Sequence, residues 1–396
     1  MISVGIDVSK EKSTVFILSS TGEINKEAYE IFHNSNDIHN LVKTIKGFNE
    51  PVKVVLESTG YYHWPIVNTL ISKNIFVAII NPIVMSRFSK QKLRQGKTDP
   101  LDAAMIARFG LAYWNNLICY TPKDSVYEEL NTYSRQYYQY IQLKTKAKIN
   151  LTSLIDKTLP GIKKLIFNNN GKLNDFIAKW WHFECITKNS FKVFSNQYNK
   201  WSNKKGYRMS TEKAEELYAI AQNGITTLPC NEATKILIME ALKTIKYLEK
   251  SLDVILTHMN NLASTLPEYS MLLQMNCIGP TLAVRLISEI GDIRRFHSKN
   301  SLIAYAGIDA PPYQSGNFES HNRHISKRGN KYLRRTGYEL MMSFAQHKPS
   351  NDKIYDFISK KRAEGKYYLT AYIAGFNKFL RIYYARVNEL YNTKQT

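Results

Sequence analysis

Four carboxylates in this chain are spaced for metal chemistry. Asp7 lies near the end of a short apolar run, "ISVGIDV", where strand alternation turns it to the face opposite Ile6 and Val8. Glu57 ends a second run, "VKVVLE". Acidic residues closing strands of an α/β sheet sit where ligands usually bind, although each alone also reads as a solvated strand end. Asp99 and Asp102 stand three apart in "KTDPLDAAMIARFG", so both fall on one face of the helix expected there. Helix capping explains that pair equally well. Asp99 suits the N-cap, Pro100 the first helical position and Asp102 the acidic position of a capping box. Four such groups converging on one cleft are stable only with a cation among them, and hard oxygen donors suit Mg²⁺.

A second set of residues points to nucleophilic chemistry. In "PPYQSGNFESHNRHISKRGNKYLRR" the pair Ser315-Gly316 precedes a strongly basic run. A serine beside a glycine is ordinarily a turn. Its hydroxyl attacks only when a base, a metal or an electropositive setting activates it. Lys327, Arg328, Arg334 and Arg335 provide that setting, since they can neutralise a phosphodiester and the charge that develops in its transition state. His321 and His324 are candidates for the base, for phosphate contacts or for plain surface residues.

The elements that must position these groups differ along the chain. In the first 110 or so residues, strand signals ("ISVGIDV", "STVFILSS", a third near Ala28 to Phe32) give way to strands alternating with helices. "DIHNLVKTIKGF" carries helical apolar spacing at Ile38, Leu41, Val42 and Ile45, and "VKVVLE" and "IFVAII" read as buried strands. This predicts an α/β domain with a mixed sheet. From about Lys123 the pattern is helical. One long helix carries a stripe from Leu130 to Leu154, imperfect at Lys144. Another carries unbroken 3-4 spacing from Ile238 to Leu266, which argues a coiled coil or a buried bundle helix. Residues 160 to 230 show no legible architecture. "LLQMNCIGPTLAVRLISEIGD" reads as a helix-hairpin-helix unit or an ordinary αα-hairpin. In the first case Gly279 opens a phosphate-holding turn.

Composition narrows the partners. The 396 residues leave room for two or three domains. Fifty-four Lys and Arg against 33 Asp and Glu give a formal charge of +21, so a polyanion, nucleic acid first, is the expected partner. No apolar run is long enough for a spanning helix, and "MISVGIDVSKEK" turns charged too early for a secretory signal. Cys119, Cys185, Cys230 and Cys277 are far apart and form no CxxC pair, which argues against a zinc site or a disulfide framework and fits a reducing cytoplasm.

The segments "GIDVSK", "ESTGYYHWP", "GKTDPLDAAMIAR", "IGPTLAVRLISEIGDIRRF", "LIAYAGID", "YQSGNF" and "ISKRGNKYLRR" occur in this order. Together they resemble the DEDD transposases of bacterial insertion sequences, the IS-one-ten family, to which the Piv-type DNA invertases are related. The resemblance spans about residues 2 to 112 and 268 to 385. It implies a RuvC-like, ribonuclease-H-type domain over 1–118, a helical coiled-coil region over 119–266 and a mostly helical C-terminal transposase domain over 267–396. It implies that Asp7, Glu57, Asp99 and Asp102 hold one or two Mg²⁺ ions and that Ser315 is the nucleophile of a composite recombination site. The implied partners are donor and target DNA, a structured non-coding guide RNA and further copies of the chain, as a dimer or tetramer, with no membrane. The alternatives are an invertase acting without a guide and a non-catalytic DNA- or RNA-binding protein of the same fold.

Overall fold

The computed structural model divides into two units, Met1–Pro122 and Lys123–Thr396. It describes residues 1–58, 60–89, 98–121, 125–165, 170–311, 314–315, 318–319 and 324–393, leaving aside the side chains of 170, 314, 315, 318 and 319.

In the first unit β1 (Ile2–Val8) and β2 (Lys12–Ser19) form an antiparallel hairpin with Val8 opposite Ser13. β3 (Ile24–Phe32) continues antiparallel beyond β2 and begins earlier than its sequence suggests. On the other side of β1, β4 (Val52–Glu57) and then β5 (Val77–Ile80) pair in parallel, giving the order β3-β2-β1-β4-β5. The sheet is therefore mixed, as expected. Its helices are α1 (Ser35–Lys46), α2 (Trp64–Ser72), α3 (Pro82–Ser89) and α4 (Asp99–Ala112).

Strand alternation decides what each face meets. Val4, Ile6, Val54 and Leu56 share a core with Ile38, Leu41, Val42 and Ile45 of α1 and with Ile66, Val67 and Leu70 of α2. The opposite face belongs to α4. Its small residues Ala103, Ala104 and Ala107 pack on Phe16 and Leu18, and its Ile106 and Phe109 on Val55 and Ala78. The approach is close enough that a Cβ on Gly5 would lie 2.3 Å from both the Ala103 carbonyl oxygen and the Ala107 nitrogen.

Among its described residues the second unit is helical apart from one small hairpin. It comprises α5 (Ser125–Thr158), α6 (Ile162–Leu165), α7 (Asn170–Lys179), α8 (Phe183–Thr187), α9 (Phe191–Lys204), α10 (Thr211–Asn223), α11 (Glu232–Ala263), α12 (Pro267–Leu273), α13 (Pro280–Ile290), α14 (Lys299–Ala306), β6 (Gln314–Ser315), β7 (Phe318–Glu319), α15 (Lys331–His347), α16 (Lys353–Ala363) and α17 (Tyr368–Thr393). α5 and α11 pack along one another. The expected apolar stripe on α11 is buried at Ile238, Ala241, Ile245, Leu248, Leu252 and Met259, but the helix stops at Ala263, so Leu266 packs from outside it. Lys144, the flaw in the α5 stripe, pairs with Glu249 of α11 at 3.0 Å.

Two cores sit at opposite ends of this helix pair. Leu151 and Ile155 of α5 and Ile238, Ala241 and Ile245 of α11 join Phe176, Trp180, Phe194, Tyr198 and Trp201 in one. This core accounts for the stretch 160–230, where aromatic residues on short helices meet mostly across helices. Tyr127, Leu130 and Tyr137 of α5 and Leu252, Met259 and Ala263 of α11 join α12 to α17 in the other. Among the described residues no helix is long and apolar enough to cross a membrane.

Candidate active site

The acidic end of the first unit is built by register. Ile6 lies beside Leu56 in the parallel pair β1–β4, so Asp7 and Glu57 each come one residue further on, on adjacent strands. Their neighbours Ile6 and Leu56 fill the core under α1 and α2, so both carboxylates belong to the face that α4 covers. α4 crosses that face with Gly110 against Ser3 and with Ala103 and Ala107 against Gly5. Its first turn, carrying Asp99 and Asp102, thus falls at the level of Asp7. Lys12, at the start of β2, has its pKa raised first by its hydrogen bond and charge contact with Glu30 and in smaller part by Asp99. Asp7, Glu57 and Asp102 are half-buried and Asp99 is exposed.

The capping explanation of Asp99 and Asp102 does not hold here. The N-cap is Thr98, its side chain makes no capping hydrogen bond, and Asp99 and Pro100 are the first two helical residues. Two acidic groups in a first turn still suit the helix dipole. Like Asp7 and Glu57 they carry oxygen donors of the kind a divalent cation takes.

In the second unit Ser315 ends β6, paired with Phe318 of β7, while Gln314 pairs with Glu319. Ser320, His321 and Arg323 lie outside the described residues. The basic run is anchored from behind. The Ser326 amide donates to the Asp309 carbonyl at 2.8 Å and its hydroxyl to the Asp309 carboxylate, so this serine is committed to holding the loop. Lys327 has φ 53° and its amide donates to the Gly307 carbonyl at 3.0 Å. A Cβ on Gly329 would meet the Tyr305 carbonyl at 2.1 Å, so only glycine fits there. Lys327, Arg328 and His324 are exposed.

Arg334 and Arg335 are placed differently. Arg334 donates to the Ala306 carbonyl at 2.9 Å, and burial lowers its pKa. Arg335 pairs with Glu339 at 3.2 Å and lies over the Tyr138 ring. Of the four basic residues singled out in the sequence, only Lys327 and Arg328 present their charge outward without an ion-pair partner among the described residues. Gly279 is exposed at the N-cap of α13, beside an open cavity of about 460 Å³ that Cys277, Thr281 and Ser343 also line.

Behind the loop lies a buried polar network that sequence reasoning missed. Glu289, 1% exposed, accepts from the Ser134 hydroxyl at 2.7 Å and the Asn330 side-chain amide at 2.8 Å, and pairs with Arg135 at 3.1 Å. Asn330 also caps α15 by accepting from the Tyr332 and Leu333 amides. One carboxylate thus ties α5, α13 and the end of the basic loop together. Arg285, buried one turn earlier on α13, pairs with Glu339 and donates to the Tyr138 hydroxyl. The available signal was two opposite charges four apart in the mostly apolar "AVRLISEI". That spacing suggests they pair with each other. Each instead finds other partners, Arg285 in Tyr138 and Glu339, and Glu289 in Ser134, Arg135 and Asn330.

Two family models match the chain: a DEDD transposase model of the IS110 type over residues 4–160, and "Transposase IS116/IS110/IS902 family" over 269–356. The chain belongs to the IS110 family of transposases. All four carboxylates of this IS110-family chain fall in the first match, and Gly279, Glu289, Ser315 and the basic run in the second. "Putative transposase y4rJ" of Sinorhizobium fredii is 39% identical over 83 residues, which is 21% of this chain and 20% of that protein. Two solved structures of RuvC from Thermus thermophilus, one in complex with a Holliday junction substrate, are 12% and 13% identical. Each aligns over 29% of this chain and 96% of its own, with TM-score 0.23. Likeness at that level carries no argument about residues or activity.

Proposed function

We propose that this chain is a Mg²⁺-dependent DNA transposase or recombinase guided by a structured RNA, and that it cuts and rejoins DNA through a phosphoserine at Ser315. The observation that carries the metal-dependent half is the gathering of Asp7, Glu57, Asp99 and Asp102 at one end of one sheet face. A divalent cation held by these oxygens would supply charge neutralisation for a phosphodiester. The sheet and helix ends fix where the four carboxylates stand. Lys327 and Arg328 hold the phosphate, and the anchored backbone from Ser326 to Asn330 keeps them outward. The Ser315 oxygen gives up its proton and bonds to phosphorus. The leaving strand oxygen departs with its electron pair and takes a proton, and the reverse step rejoins a strand.

Support for the serine and for the guide RNA comes from family membership and from the charge of +21. The mixed sheet with parallel strands beside β1 suits a RuvC-like domain. Recombination holds several DNA ends, so we include a dimer or tetramer in the proposal.

The test is a DNA substrate nicked so that rejoining is impossible, offered to the full chain with its copurifying RNA. The expected result is a denaturant-resistant protein–DNA adduct mapping between Pro311 and Arg323. It is lost in Ser315→Ala and in Asp7→Asn and retained in Ser326→Ala. Free strand ends without covalent protein would overturn the serine step. Adduct formation that persists after RNA is digested away would replace the guided reading with an unguided invertase.

A further inference from the structure

Three potential metal ligands meet away from the proposed active site. The donor atoms of His182, Glu184 and Cys230 all lie within 4.8 Å of one another. Burial first, and then the neighbouring Cys185 thiol, push the Cys230 pKa up to about 11. This cluster belongs to the aromatic core at the α6–α10 end of the helix pair and lies outside both family matches.

The cluster is assembled by the protein itself. His182 is the N-cap of α8 and Cys185 follows one helical turn later. Cys230 comes from the segment leading into α11, and three contacts seat that segment. A Cβ on Gly224 would lie 2.1 Å from the Phe183 ring, the Thr227 amide donates to the Lys157 carbonyl at 2.9 Å, and His182 Nε2 donates to the Leu228 carbonyl at 3.0 Å. The last bond fixes the tautomer, so the Nδ1 lone pair faces Glu184, whose amide donates to it at 3.1 Å. A ring nitrogen oriented by a backbone carbonyl on its other side is the usual arrangement of a metal-binding histidine.

We propose that His182, Glu184, Cys185 and Cys230 form a structural zinc site. Two thiols, one imidazole and one carboxylate are a donor set suited to Zn²⁺ and unsuited to Mg²⁺. Zinc ligands stand about 2.0–2.3 Å from the ion, so the donors of His182, Glu184 and Cys230 must draw together by roughly 1 Å, and the Cys185 thiol must join them. Both thiols lose their protons on binding. The Nδ1 lone pair exchanges the Glu184 amide for the ion, while the Nε2 bond is kept. The site would clamp the start of α11 to α8, where the sequence alone, with its cysteines 45 residues apart, shows no zinc pattern.

The test uses the full chain, stripped of metal under reducing conditions and titrated with Co²⁺. Binding of one ion per chain with thiolate-to-cobalt charge-transfer absorption, displaced by Zn²⁺, is expected. Cys230→Ser and Cys185→Ser should each weaken that absorption, and Cys119→Ser should leave it unchanged. Because a cysteine variant can fail to fold, a second measurement uses the wild type. Zn²⁺ should protect Cys185 and Cys230 from alkylation while Cys119 still reacts. Absence of the charge-transfer band, or equal alkylation of Cys230 with and without Zn²⁺, would overturn the site. So would a Cys185–Cys230 disulfide in the freshly isolated chain.

Discussion

In the sheet unit the acidic side chains are placed by backbone geometry. Asp7 and Glu57 follow from the register of β1 and β4, and Asp99 and Asp102 from a helix pressed onto Gly5. In the helical unit the basic loop is placed by side chains, through a buried glutamate that meets Ser134, Arg135 and Asn330. In the first arrangement strand register and helix packing decide where the carboxylates stand. The second does not tolerate loss of its charge. Buried ions are costly to desolvate, and removing one partner strands the others.

The largest effect should come from Glu289→Ala. It leaves Arg135 and Asn330 facing an empty buried site and should cost about 3–5 kcal/mol, read by chemical denaturation of the full chain. A loss below about 1 kcal/mol would mean that the loop is held by its backbone, as the acidic end is, and the contrast would fail.

Gly5→Ala attacks the other side of the comparison. The new methyl meets backbone on α4 and cannot be relieved by a side-chain rotation, so a cost of about 1–3 kcal/mol is expected. It should also shift the first turn of α4 and weaken Mn²⁺ binding measured by calorimetry. Asp102→Asn should weaken Mn²⁺ binding with little loss of stability. Unchanged Mn²⁺ affinity in Gly5→Ala would separate the helix from the metal-binding role.

The smallest effect is a pH effect. Burial pushes the Glu339 carboxyl up, but Arg285 and Arg335 outweigh it and hold it below the ordinary value of 4.5. A depressed carboxyl contributes stability above its unfolded pKa and loses it as pH falls through its folded pKa. The stability advantage of the wild type over Glu339→Gln should therefore be full near neutrality and shrink below about pH 4.5. An advantage independent of pH would assign the residue to packing alone.

These differences also explain what could be read in advance. β1, β4, α1 and the strand-end positions of Asp7 and Glu57 were legible because they depend on local period and on where strands stop. Ile38, Leu41, Val42 and Ile45 are all buried on α1 as their spacing requires. The region 160–230 was illegible because its aromatic contacts join separate short helices, as Phe176 of α7 with Tyr198 of α9 and Phe191 of α9 with Tyr218 of α10. Glu289 was hidden for a related reason. Its partners lie 41 and 155 residues away, while Arg285 stands four residues off and faces elsewhere. Lys144, which breaks the apolar pattern of α5, made sense only once Glu249 stood opposite.

The paired helices α5 and α11 have a mechanical consequence. At 1.5 Å per residue, the 34 residues of α5 make a strut of about 50 Å with a packed core at each end. A strut anchored at both ends transmits rotation: a tilt of about 10° at its base sweeps the far core through roughly 9 Å. The α6–α10 core therefore rides at the tip of a lever whose fulcrum includes Ser134 and Arg135, the residues that grip Glu289 behind the basic loop. Force applied to that distant tip would arrive as torque on the loop.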